Sequence, residues 1–214
     1  MTDTRDRLAR ASIAHIPFDG MNETSLRAGA RDLGLPEDVV MAFFPEGGAG
    51  LVAWIHRQGD MQLAEWMKEA PGGRIRDRIA GAIWQRLSFA DVELVRAASA
   101  VLALPKNQPF AARLLWGTAD VIWNGLGDTS RDVNWYSKRA TLSAVYAAVV
   151  LYWLGDLSEG RNDTREFINR RIDGVMQFEK LKATARKVPG VSLLTGMATG
   201  WVRAPQPVGK EQDR

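Results

Sequence analysis

The sequence predicts an all-α protein in which a three-helix, helix-turn-helix head precedes a larger helical ligand-binding body. Three observations lead there. Apolar residues recur every three to four positions almost throughout, without the alternation that strands require. Helix-start residues and breakers punctuate that pattern at regular intervals. The stretch from Ser25 to Val40 places Ala30, Gly34 and Val40 where such a motif needs a small crossing residue, a tight turn and an apolar anchor.

The elements follow in order. Asn22 with Ser25, Pro36, Asp91, Asp132 and Asp163 mark helix starts. Breakers fall at Pro17–Gly20, Gly34, Pro45–Gly48, Pro71–Gly73, Pro105, Gly125–Asp128 and Gly155–Gly160. Helices are therefore expected at about 3–15, 22–33, 36–44, 48–69, 73–87, 90–103, 108–126, 132–155 and 162–187, with a further one at 190–203. The organisation expected is a head over 1–47, a body over 48–187 and a basic, apolar tail over 188–214.

Composition narrows the function. With 214 residues and 46% hydrophobic content, the chain is long enough to bury a sizeable core. No apolar run reaches the roughly 20 residues of a membrane span. Residues 1–15 are charged, so no secretory signal is expected there. Cysteine is absent, which excludes disulfides, thiolate metal sites and cysteine nucleophiles. The two histidines, His15 and His56, are too few for a zinc site or a di-iron Glu-x-x-His set, and no serine nucleophile elbow is present. Gly47-Gly48-Ala49-Gly50 lacks the strand and lysine of a phosphate loop. No catalytic residue, metal or cofactor is expected.

Charge is unevenly spread. Residues 1–50 hold five Arg against eight Asp or Glu, a net of −3, whereas residues 178–214 hold seven bases and three acids, a net of +4. From Leu35 to Gly50, where a DNA reader carries cations and polar groups, there is no Lys or Arg. DNA binding draws much of its affinity from neutralised phosphates, so this head is poorly suited to it. The layout of head and body nevertheless resembles the TetR-type regulators, as does Phe43-Phe44-Pro45 followed by Leu51 and Val52. A ligand-responsive transcriptional regulator is therefore the alternative reading.

A second resemblance begins at Pro105. The run Gly127-Asp128-Thr129-Ser130-Arg131-Asp132-Val133-Asn134-Trp135-Tyr136-Ser137-Lys138-Arg139-Ala140-Thr141-Leu142 resembles the signature of the ninth Coq protein family, ubiquinone-biosynthesis accessory proteins. The likeness continues through Tyr152–Asp156, Ser158–Gly160, Asp163-Thr164, Phe167 and Arg170–Asp173, and Phe110–Gly125 fits it too. The resemblance implies a TetR-like, non-catalytic, lipid-binding protein. Such a protein would present a prenylated quinone intermediate to a pathway hydroxylase at the membrane surface. It also implies a docking patch at Ile122, Trp123, Asp132, Trp135, Tyr136 and Arg139, with Lys138 beside it. Independently, Trp135 and Tyr136 point about 100° apart on a helix, so one of the two is expected at the surface.

Apolar bands on three helices supply candidate lipid contacts: Trp84, Leu115, Trp116, Leu142, Val145, Tyr146, Val149 and Trp153. The same stripes fit an ordinary helical core. In the tail, Lys187, Leu193, Leu194, Met197 and Trp201 form a basic-flanked apolar segment that suits membrane contact, or equally a helix packed on a dimer mate. The expected partners are thus an isoprenoid quinone intermediate or phospholipid, the hydroxylase, a membrane surface and a second copy of the chain. The expected location is cytoplasmic, peripheral to the inner membrane.

Overall fold

Three of the helix starts fall where the sequence offers side-chain caps. In the computed structural model, which describes the backbone of residues 2–185 and the side chains of 3–177, Asn22, Asp91 and Asp132 each accept hydrogen bonds from backbone N–H groups of the turn that follows them. At Asn22 the bond is reciprocal, because the Ser25 hydroxyl lies within reach of the Asn22 N–H. The elements are α1 (Thr2–Ile13), a single turn α2 (Ile16–Asp19), α3 (Glu23–Asp32), α4 (Val39–Phe43), α5 (Gly48–Glu69), α6 (Ile75–Ser88), α7 (Val92–Leu102), α8 (Gln108–Gly125), α9 (Val133–Gly155) and α10 (Asn162–Ala185). Short 3-10 turns precede α8 and α10, and no strand occurs among the described residues.

The head packs α1 across α3. Gly29, the residue before Ala30, makes the closest approach, since a Cβ there would lie 2.6 Å from the Ser12 backbone nitrogen. Ala30 and Val40 are fully buried, and Gly34 takes the left-handed turn with φ of +65°. The third head helix is shorter than the expected 36–44. Residues 36–39 make 3-10-type bonds from Val39 N–H to the Pro36 carbonyl and from Val40 N–H to the Glu37 carbonyl, so α4 begins only at Val39.

The head's apolar core joins Leu8, Leu26, Val40 and Phe44 to Leu51, Val52 and Trp54 at the start of α5 and to Leu114 of α8. Trp54 Nε1 donates to Asp6 at 2.7 Å, which ties α5 to α1. A second core, built from α5, α6, α8, α9 and α10, holds Leu63, Ile83, Leu87, Ile122, Val149, Trp153 and Ile168.

Between the helices of this body lies a buried polar cluster. Arg86 Nε donates to Asp60 at 2.8 Å, and its Nη2 donates to the His56 carbonyl at 2.9 Å. The Thr118 hydroxyl reaches Asp60 at 2.9 Å and His56 Nε2 at 2.8 Å. Gly59 makes room for the guanidinium, because a Cβ there would sit 2.4 Å from its central carbon. Burial pushes His56 down to about 4, against the pull of Asp60 and with the help of Arg86.

A neutral buried imidazole with a lowered pKa takes up a proton on unfolding. Its stability contribution is therefore complete above the ordinary histidine pKa and declines as pH falls from about 6.5 to about 4. The loss at the acid end is on the order of 3 kcal/mol. Urea unfolding across that window should show the decline, and His56→Gln should flatten it. Equal pH slopes in the two proteins would contradict the assignment.

Candidate ligand cavity and aromatic face

The turn between α8 and α9 builds the site. α8 ends at Gly125, and Gly127 takes a positive φ of 78°, which reverses the chain and turns Asp128 inward. The Asp128 side chain is 3% exposed. Its Oδ1 accepts from Lys138 Nζ at 2.7 Å and from the Ser130 hydroxyl at 2.7 Å, and its Oδ2 accepts from Arg139 Nη1 at 3.0 Å. Burial alone would raise this carboxyl, but the bonds from Lys138, Ser130 and Arg139 hold it well below the usual carboxylate range.

Arg139 is the centre of the cluster. Its side chain is 1% exposed, and Nε donates to Asp120 at 2.6 Å while Nη2 donates to Asn124 at 3.0 Å. It also donates to the Trp135 carbonyl at 3.3 Å, and its guanidinium lies 4.0 Å from the Trp135 ring centroid. Two cations thus face two carboxylates, Asp120 and Asp128, and the cluster is neutral.

On one side of this cluster lies an aromatic face. Trp135 and Tyr136 meet edge to face with centroids 4.8 Å apart, and Trp116 of α8 contacts both, at 5.8 and 6.3 Å. Neither Trp135 nor Tyr136 enters the core, and each stays partly exposed, a step beyond the expectation of one at the surface. Asp132 is exposed and caps α9 through the Asn134 N–H at 2.9 Å.

The cluster also borders, through Asp128 and Lys138, a cavity of about 580 Å³. Ile75 and Ile79 of α6, Leu126, Leu142 and Val145, and Ile172, Val175 and Met176 of α10 form its apolar wall. Its polar edge is the 127–130 turn with Asn134, Ser137, Lys138 and Thr141. Trp123 lines it too, donating Nε1 to the Lys138 carbonyl at 3.2 Å beneath the Lys138 ammonium. An apolar hollow with a one-sided polar edge suits an amphiphile with an oxygen-bearing head.

The sequence-derived residues distribute as follows. Leu142 and Val145 line the cavity, whereas Trp84, Leu115, Trp116, Tyr146, Val149 and Trp153 do not. Tyr146, Val149 and Trp153 face the body core further along α9, and burial beside Asp60 raises the Tyr146 phenol despite Arg86. Leu115 packs against that core, Trp116 belongs to the aromatic face, and Trp84 lies under the Arg165 guanidinium at 3.8 Å.

The docking set is corrected at two positions. Ile122 is fully buried in the body core, and Arg139 is buried because only there does its guanidinium meet both carboxylates, so neither presents a surface. Lys187, Leu193, Leu194, Met197, Trp201 and the helix expected at 190–203 lie outside the described residues. Sequence reasoning missed the α10 wall and the turn, whereas α6 carries one of the three apolar bands read from the sequence. The readable signal was a polar stripe, Asn134, Ser137 and Thr141, at helical spacing beside Leu142 and Val145.

The architecture defines the class: an all-helical protein of TetR-like fold. Among solved structures it is similar to a TetR transcriptional regulator from Nitrosomonas europaea ATCC 19718. The TM-score is 0.61 and the identity 17%, covering 80% of this chain and 97% of that one. Residues 108–179, which hold the aromatic face and most of the cavity wall, match the COQ9 family model. The chain is 31% identical over 185 residues to the mitochondrial ubiquinone biosynthesis protein COQ9 of Drosophila melanogaster, covering 83% of this chain and 56% of that protein. Against the Homo sapiens protein of the same name the identity is 27% over 222 residues, covering 97% and 68%. Residues 108–179 are thus a COQ9 domain, and the chain spans just over half the length of the fly relative.

Removing one partner of a buried ion pair strands the other, at a cost of about 3–5 kcal/mol. Arg139→Ala should lose stability of that order in urea unfolding, and Arg139→Lys should recover part of it, keeping the charge but not the fork. A loss below about 1 kcal/mol for Arg139→Ala, the range of an exposed pair, would show that the cluster is solvated.

Proposed function

We propose that the chain is a non-catalytic, lipid-binding accessory protein of ubiquinone biosynthesis. It holds a prenylated quinone intermediate and offers it to a pathway hydroxylase at a membrane surface. The observation that carries this reading is the cavity: an apolar hollow with a neutral polar edge, set in the segment that matches the COQ9 family. The relatives' names supply the pathway.

The energetics are reasonable. Burying roughly 400 Å² of prenyl surface gives on the order of 10 kcal/mol gross. Association costs reduce that to roughly micromolar affinity. A bilayer competes for the same tail, so loading is expected next to the membrane. No helix among the described residues is long and apolar enough to cross one, which fits peripheral attachment.

The head supports this reading over promoter binding. Four of its five arginines are engaged within the protein: Arg27 and Arg31 form surface pairs with Glu37, Arg5 donates to the Phe43 carbonyl, and Arg10 lies over Trp54. At the position of a recognition helix, α4 presents Met41 and Ala42 to solvent, and neither can hydrogen-bond a base edge. The half-exposed Trp116, Trp135 and Tyr136 are the docking surface in this reading, since aromatics at the surface are enriched in partner sites.

Two experiments test it. Organic extraction of the purified protein followed by mass spectrometry should yield a prenylated quinone or its precursor, and Val145→Trp, which fills the hollow, should weaken decylubiquinone binding at least about tenfold. Absence of bound lipid together with no saturable binding would end the lipid reading. Separately, Trp135→Ala should lower cellular quinone output while leaving the far-ultraviolet circular dichroism unchanged, and normal output would remove the docking role.

A further inference from the structure

We propose that Arg139 is a positioning residue that couples occupancy of the cavity to the set of the Trp116–Trp135–Tyr136 face. The inference rests on the reading of the cavity as a lipid site.

The connection can be followed atom by atom. At the cavity end stands Lys138, whose ammonium has three N–H groups and donates to Asp128 and Ser130, both at 2.7 Å. A ligand oxygen arriving at the polar edge competes with Asp128 for this ammonium. Asp128 cannot respond alone, because its other oxygen holds Arg139 Nη1 at 3.0 Å in a setting closed to water. Arg139 in turn is a flat plate pinned by Asp120 and Asn124 on α8, so it pivots rather than rotates freely. Its remaining contacts are the Trp135 carbonyl and the Trp135 ring. A change at the cavity edge therefore reaches the first turn of α9, and the ring of Trp135 carries it to Trp116 and Tyr136.

Coupling of this kind needs an element with two arrangements, each favoured by a different partner. Here they are the Lys138 ammonium given to Asp128 and the same ammonium shared with the ligand. Linkage makes the effect reciprocal: whatever binds the aromatic face changes affinity in the cavity by the same factor. A protein that hands its ligand on gains from this, because docking can loosen the hold on the ligand.

The test uses the full chain labelled with 5-fluorotryptophan and titrated with decylubiquinone, read by fluorine NMR. Trp123 and Trp135 resonances are assigned with Trp123→Phe and Trp135→Phe. Trp123 lines the cavity and reports occupancy, while Trp135 is not part of its lining and touches the ionic cluster through Arg139. In the wild type both resonances should move with one apparent dissociation constant. In Arg139→Lys the Trp123 response should persist and the Trp135 response should vanish. If Arg139→Lys fails to fold, Asp120→Asn, which loosens the guanidinium from α8 without altering the cavity lining, is read in the same way.

A moving Trp123 beside a stationary Trp135 in the wild type overturns the coupling and leaves the lipid reading intact. Equal Trp135 responses in wild type and Arg139→Lys overturn the role of Arg139. If Trp123 itself is silent, the cavity is not the lipid site, and the coupling falls with that reading.

Discussion

A guanidinium taken out of water must find acceptors for its N–H groups, and Arg139 finds them only when α8, the 127–130 turn and the first turns of α9 meet in one register. Asp120 and Asn124 lie on α8, Asp128 in the turn, and the Trp135 carbonyl on α9 itself. Shifting α9 by one residue would rotate Arg139 by about 100° and leave two carboxylates without their cation. A buried ion pair is weak evidence of stability, but it penalises wrong registers severely. That penalty fixes where the two helices cross, and the cavity and the aromatic face both follow from the crossing.

The same device recurs in the body. Arg86, Asp60, His56 and Thr118 fix α5, α6 and α8 against one another, with Gly59 leaving space for the guanidinium. Further along, Asp156 accepts from the N–H and hydroxyl groups of Ser158 and Thr164, which sets the corner between α9 and α10. Arg76 grips Asp173 with its Nη2 at 2.7 Å and holds α10 across α6, closing the cavity from that side. Many charged residues of the family-like segment thus shape the scaffold rather than touch a ligand. The fold is shared with a transcriptional regulator, and in this chain's head Arg27 pairs with Glu37 while α4 is a single short turn of apolar residues.

Much of this fold was legible in the chain. The caps Asn22, Asp91 and Asp132 and the breakers between helices placed nearly every element, because capping and turn chemistry are local. Leu142 and Val145 were legible as wall candidates because the apolar stripe of α9 can be read at helical spacing. What was not legible were contacts between distant segments. A stripe does not say which of its residues also meets a hollow, so Tyr146, Val149 and Trp153 were read with Leu142 and share its core but not its place on the cavity wall. Nor does a motif say which of its polar side chains face inward, as Arg139 and Asp128 do.

By itself, then, the sequence determined the helical class, the order and ends of most elements, the acidic head without a phosphate grip, and the family-like segment. These follow from local propensity, capping and summed charge, all of which are properties of neighbours along the chain. Only the tertiary structure decided that α10 completes the cavity, that Ile122 and Arg139 are interior, and that one ionic cluster touches both the cavity edge and the aromatic face. Those outcomes depend on which helices cross and at what register, and that choice is made by buried charges seeking partners far away in sequence.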